Sequence, residues 1–151
     1  MYSDLIAMLR SLADEEPYFI PLLANASALL FDALSDVNWV GFYLIRNGRL
    51  VLAPFQGKVA CIHIPIGEGV CGTAAQNGKT VLVPDVHQFP GHIACDSASN
   101  SEIVVPLFQE NKVVGVLDID SPQYNRFSEN DCKGLEAFCR VLESVIIWEG
   151  K

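Results

Sequence analysis

The stretch Trp39–Phe55, WVGFYLIRNGRLVLAPF, decides the architecture. Trp39 to Ile45 is rich in aromatic and branched apolar residues and reads as a strand. Asn47-Gly48 is a two-residue hairpin signal that leads into a second strand at Leu50 to Phe55. Upstream the apolar period is helical. Ser3 to Leu12 places Leu5, Met8, Leu9 and Leu12 on one face, and Asp14-Glu15-Glu16-Pro17 breaks it. Tyr18 to Leu34 forms a longer helix with Pro21 in its first turn, where a missing N–H is tolerated. Downstream, Ala60 to Ile64 and Thr80 to Val83 read as short strands around a brief helix at Val70 to Gln76. Pro84 to Ser101 is a long connection of the kind that is more often functional than idle. Glu102 to Gln109 and Lys112 to Ile119 make a second hairpin around Glu110-Asn111. Ser128-Glu129-Asn130-Asp131 has the form of a capping box and starts a last helix running to about Trp148. Helices at both ends of a hairpin-connected sheet predict an α+β domain with an antiparallel sheet, spanning 1–151 as one unit.

Composition narrows the function. Ten Lys+Arg against eighteen Asp+Glu give a formal net charge of −8, a field that repels phosphate backbones, so no nucleic acid partner is expected. The longest apolar runs are far too short to span a membrane, and Met1-Tyr2-Ser3-Asp4 carries no basic start, so neither membrane nor export is expected and a cytoplasmic location is.

The five cysteines are Cys61, Cys71, Cys95, Cys132 and Cys139. An odd number without an export signal argues against a structural disulfide framework. Cys132 and Cys139 lie seven apart on the apolar face of the last helix with Leu135 and Leu142, so both are expected in the core. The other three lie beside turns or in loops. Cys71, in Gly-Val-Cys-Gly at a helix N-terminus, sits where unpaired N–H groups favour a thiolate. Cys95 lies in a polar run with His87 and His92 nearby in sequence, either of which could assist a thiolate. The residues alone leave open whether any of the three reacts. Zinc is the rival: Cys61, His63, Cys71, His87, His92 and Cys95 are soft donors. None has the paired spacing of a structural zinc site, so no metal is assigned.

Asp118 and Asp120 are two apart on a strand and share a face, and Glu102 reaches them if the hairpin pairs simply. Three carboxylates together call for a cation between them; the plainer alternative is that the two aspartates face water at a strand end. Trp39 and Tyr43, four apart, also share a face. They either wall a pocket or pack under a helix.

Several segments taken together resemble one family. They are Lys58-Val-Ala-Cys61-Ile-His-Ile-Pro65-Ile-Gly67-Glu-Gly69-Val-Cys71-Gly72, Asp85-Val-His87, Gly91-His-Ile-Ala-Cys95-Asp96 through Glu102 to Leu107, Gly115-Val-Leu-Asp118-Ile-Asp120-Ser, and Asn38-Trp39-Val-Gly41-Phe-Tyr43. They are similar to the free methionine-(R)-sulfoxide reductases, small stand-alone GAF-domain enzymes, and the likeness runs from Ala24 to Leu142. It implies a GAF fold: a central antiparallel sheet of about six strands, with the terminal helices on one face and a ligand pocket on the other. It implies reduction of free methionine-(R)-S-oxide, with Cys95 as the catalytic thiol, Cys61 as the principal resolving thiol and Cys71 as a further redox cysteine. On that reading Glu102, Asp118 and Asp120 receive the substrate ammonium and supply a proton, and Trp39 and Tyr43 pack against the methyl-sulfinyl end. Backbone N–H groups at Val70 to Gly72 or around Ser97 hold the carboxylate. Thioredoxin or a similar dithiol is the implied reductant, no cofactor is needed, a homodimer is the family habit, and the connection from Pro84 to Asn100 is a candidate lid. The competing function is a GAF module that senses a small ligand without chemistry.

Overall fold

The computed structural model describes residues 1–93 and 98–149. Six strands form one sheet in the order β3-β2-β1-β6-β5-β4, with every neighbouring pair antiparallel. In chain order the elements are α1 (Tyr2–Glu15), α2 (Phe19–Ala33), β1 (Trp39–Arg46), β2 (Arg49–Gly57), β3 (His63–Pro65), α3 (Gly69–Asn77), β4 (Val81–Val83), a single 3₁₀ turn (Val86–Gln88), β5 (Ser101–Gln109), β6 (Lys112–Ser121) and α4 (Glu129–Val145).

Both hairpins form where the sequence placed them. Asn47 and Gly48 have φ of 55° and 77°, and Glu110 and Asn111 have φ of 52° and 65°. Two successive positive φ values give a turn whose twist matches that of the strands it joins.

The strand period of two divides the residues between two cores. On one side Val40, Phe42 and Leu44 of β1, Ile103, Val105 and Leu107 of β5, and Leu117 and Ile119 of β6 meet α1, α2 and α4. The helices contribute Leu5 and Leu9, Leu22, Leu23 and Leu30, and Leu135, Phe138 and Leu142. The other side carries Trp39 and Tyr43, Val104, and Val116, covered by α3 and the long connections. The expected α+β arrangement, a six-stranded antiparallel sheet with the terminal helices on one face, is therefore the observed one.

The capping box is present. Ser128 Oγ accepts from the Asp131 N–H at 3.2 Å, and the Ser128 N–H donates to Asp131 Oδ2 at 2.9 Å. The same carboxylate accepts from the Tyr2 hydroxyl at 2.6 Å, which ties the start of α1 to the start of α4.

The structure corrects four expectations. The first helix is longer than Ser3–Leu12, and Met8, placed on its apolar face, is exposed. The last helix ends at Val145, short of Trp148, because Ile147 pairs with the chain entering α2: its N–H donates to the Pro17 carbonyl and its carbonyl accepts from the Phe19 N–H. Cys132 is only half-buried, whereas Cys139 is fully enclosed as expected. The strand expected at Ala60 to Ile64 is reduced to His63–Pro65, since residues 58–61 run outside the ladder, where the Lys58 and Cys61 carbonyls accept from the aromatic side chains of β1.

Gly41 makes room for those aromatics. A Cβ there would lie 2.3 Å from Phe55 Cβ and 2.7 Å from the Trp39 ring, far inside contact distance. Gly41→Ala is therefore expected to cost roughly 1–3 kcal/mol of stability through overpacking. Thermal melts check that cost; an unchanged melting temperature would mean that the aromatic layer yields freely.

Candidate active site

The pocket lies on the sheet face opposite the terminal helices. Its floor is made by three adjacent strands in fixed register. Trp39 of β1 stands opposite Asp120 of β6, and Asp120 stands opposite Glu102 of β5. Asp118, two residues before Asp120, shares its face. The space bounded by these side chains, Tyr43, the start of α3 and residues 92–93 is about 540 Å³ including its mouth.

One wall is aromatic. Trp39 stacks on Phe55 at 5.1 Å between centroids and on Tyr43 at 5.9 Å. Both polar tips of the pocket aromatics are used. Trp39 Nε1 donates to the Lys58 carbonyl at 3.0 Å, and the Tyr43 hydroxyl donates to the Cys61 carbonyl at 2.9 Å. The Ile62 carbonyl accepts from the Leu52 N–H. Three bonds thus draw residues 58–62 across the pocket edge as a pinned strap, and Cys61 rides on it half-buried. Trp39 and Tyr43 do wall a pocket, on the face that α3 rather than the terminal helices covers.

The carboxylates do not face water. Glu102 is 7 % exposed and Asp118 6 %. Among the described residues that line the pocket there is no Lys or Arg. Burial, and then the neighbouring charges of Asp118 and Asp120, push the Glu102 carboxyl well above its ordinary range, and hydrogen bonds with both aspartates act in the same direction. These surroundings favour the neutral form of Glu102.

Cys71 sits in the third position of α3, fully buried, and it is free. Its expected thiolate character is overturned. Burial raises its thiol well above the usual range, and Asp118, Glu102 and Asp120 add to the rise. A desolvated thiol facing three carboxylates gains little from a helix dipole. Its sulfur and the nearest oxygens of Glu102 and Asp118 all lie within 4.8 Å of one another. The first N–H groups of α3, at Gly69 to Cys71, precede the helical bonding pattern and border the same space.

Cys61 is disulfide-bonded, whereas Cys71, Cys132 and Cys139 are free. Cys95, and the backbone around Ser97 considered for carboxylate binding, lie outside the described residues. The histidines part company. His92 lines the pocket, and burial followed by the nearby His87 holds it below the usual imidazole range. His87 is exposed, and its Nε2 pairs with Asn100 Oδ1 at 3.0 Å. Cys132 is not among the residues lining this pocket, and its thiol is pushed up to about 11 by burial and then by Glu136 and Glu129.

Sequence reasoning missed Ser99, which is buried in the pocket lining and accepts from Asn38 Nδ2 at 3.1 Å. One serine in a polar run carries no pattern that singles it out. It also missed the strap at 58–62, whose carbonyls do the anchoring independently of side-chain type.

Comparison with known proteins gives a consistent picture. The GAF domain family model matches residues 23–146. The free methionine-R-sulfoxide reductase of Escherichia coli K12 is 52 % identical over 145 residues, covering 96 % of this chain and 88 % of that protein. The structure of fRMsr of Staphylococcus aureus in complex with substrate is 52 % identical with a TM-score of 0.91, covering 97 % of this chain and 95 % of that one. The free methionine-R-sulfoxide reductase from Neisseria meningitidis in complex with its substrate is 46 % identical at a TM-score of 0.91, covering 95 % and 86 %.

Proposed function

This chain belongs to the GAF-domain free methionine-R-sulfoxide reductases, and from that membership we propose that it reduces free L-methionine-(R)-S-oxide to L-methionine through Cys95. The observation that carries the reading is the cation-free group of buried Glu102 and Asp118 with half-buried Asp120, beside an aromatic wall. An ammonium group is the cation that such a cluster lacks, and a free amino acid brings one. The N–H groups opening α3 suit its carboxylate. Trp39 and Tyr43 suit the apolar methyl-sulfinyl end. A peptide-bound residue lacks both charged termini and leaves the carboxylates unmatched.

The chemistry balances in three steps. The Cys95 thiolate bonds to the sulfoxide sulfur while Glu102 protonates the oxygen; the hydroxyl then passes from that sulfur to the Cys95 sulfur as the transient S–S bond breaks, which releases methionine and leaves Cys95 as a sulfenic acid. The Cys61 thiol then displaces hydroxide, releasing water and forming a Cys61–Cys95 disulfide. A dithiol of the thioredoxin class restores both thiols by exchange. The disulfide held by Cys61, with Cys71 free, supports Cys61 over Cys71 as the resolving thiol. Cys71 then serves as a neutral wall of the carboxylate cluster. The proposed setting is cytoplasmic, where thiols are kept reduced; no helix among the described residues is long and apolar enough to cross a membrane.

Steady-state assays with a small dithiol test this against a ligand-sensing module. The expected result is methionine formed from the free R epimer, with the S epimer and peptide-bound sulfoxide left unreduced. Tight binding of free methionine sulfoxide with no turnover would instead favour the sensor.

A further inference from the structure

We propose that Cys71, Glu102 and Asp118 form a binding site for a soft divalent cation of the zinc class. The three donors come from α3, β5 and β6, separate elements whose packing and strand register preset their positions. All three residues are buried, and their donor atoms lie within 4.8 Å of one another. Asp118 Oδ1 is a second, independent sign. It is a buried oxygen of a residue 6 % exposed, and among the described residues it has no hydrogen-bond partner.

The donor set selects the ion. One sulfur and two carboxylate oxygens match borderline-soft zinc, which takes about 2.3 Å to sulfur and about 2.0–2.2 Å to oxygen in tetrahedral geometry. Reaching those bonds needs the donors to close inward by only about an ångström. Calcium and magnesium require more oxygens and do not use a thiol. As the metal bonds form, the Cys71 thiol proton and the Glu102 carboxyl proton both leave to solvent and no electron moves. The fourth position faces the pocket and takes water. The ion occupies the place assigned above to the substrate ammonium, so metal and methionine exclude each other; that exclusion rests on the proposed function, whereas the metal site does not. The result is an inhibitory ion, with no part in the reaction.

The test is a titration of the reduced full-length protein with Co²⁺, which reports thiolate ligation by a sulfur-to-cobalt charge-transfer band. One Co²⁺ per chain with that band is expected. Cys71→Ser should remove the band, and both it and the near-isosteric Glu102→Gln should weaken binding by at least about ten-fold. Circular dichroism establishes that each variant is folded. A band that survives Cys71→Ser, or that vanishes with Cys61→Ser instead, overturns the site, as does binding undiminished in Glu102→Gln. Free methionine should raise the apparent Kd for Co²⁺. A band that requires Cys71 and ignores methionine supports the metal site and contradicts the placement of the substrate ammonium.

Discussion

Cys95→Ser is expected to abolish reduction of free methionine-(R)-S-oxide, lowering turnover by more than about 10⁴-fold. A serine hydroxyl in its place cannot ionise near neutrality and forms no sulfenic acid, so both the attack and the handover to Cys61 are lost. The other cysteines separate the assignment from a general need for thiols. Cys132→Ser and Cys139→Ala should retain full kcat, because the first lies outside the pocket and the second is enclosed in the helical core. Cys61→Ser should still release one methionine per chain in a first turnover and then stall as a sulfenic acid. A Cys95→Ser enzyme of normal activity would remove Cys95 from the chemistry.

Glu102→Gln is expected to lower kcat by about 10²–10⁴-fold, the usual weight of a positioned general acid, with the fold intact. The glutamine amide keeps the size and the hydrogen bonds of a neutral glutamic acid, so KM should change little. Only the transferable proton is removed. Asp118→Asn and Asp120→Asn act differently: each deletes negative charge that we assign to the ammonium, and KM should rise. The pH dependence has a definite sign. Glu102 works protonated, so activity persists on the acid side of its raised pKa and falls as pH rises through it. Asp118→Asn removes a repulsion that favours the neutral acid, so the alkaline limb should move to lower pH. Steady-state pH profiles of the three variants check both the kcat–KM split and the direction of that shift. Unchanged kinetics in Glu102→Gln would require another proton donor.

Much of the fold was legible because its signals are local. Asn47-Gly48 and Glu110-Asn111 adopt the positive φ values that their hairpins need, and Ser128 and Asp131 cap α4 by bonds between near neighbours. The shared face of Trp39 and Tyr43, and of Asp118 and Asp120, follows from strand period alone. The same period cannot say which face carries helices, so pocket wall and water-facing edge stayed open until α1, α2 and α4 were seen on the other side. Cys71 shows the opposite failure. Its position at a helix start is a local cue for a thiolate, and it is overruled by Glu102 and Asp118, which lie more than thirty residues away in sequence and meet it only by folding. The strap at 58–62 escaped because backbone carbonyls anchor it to Trp39 and Tyr43. The role of Cys95 rested on family resemblance throughout, since a thiol in a polar loop has no periodicity to read.

The central claim meets its most direct test in a single turnover without reductant. Fully reduced protein is mixed with excess free methionine-(R)-S-oxide, quenched with acid and analysed by mass spectrometry. The account predicts one methionine released per chain, a loss of two hydrogens from the protein, and a proteolytic peptide pair joining Cys61 to Cys95. Unchanged protein with no methionine released, or a bridge that joins other cysteines, would contradict it.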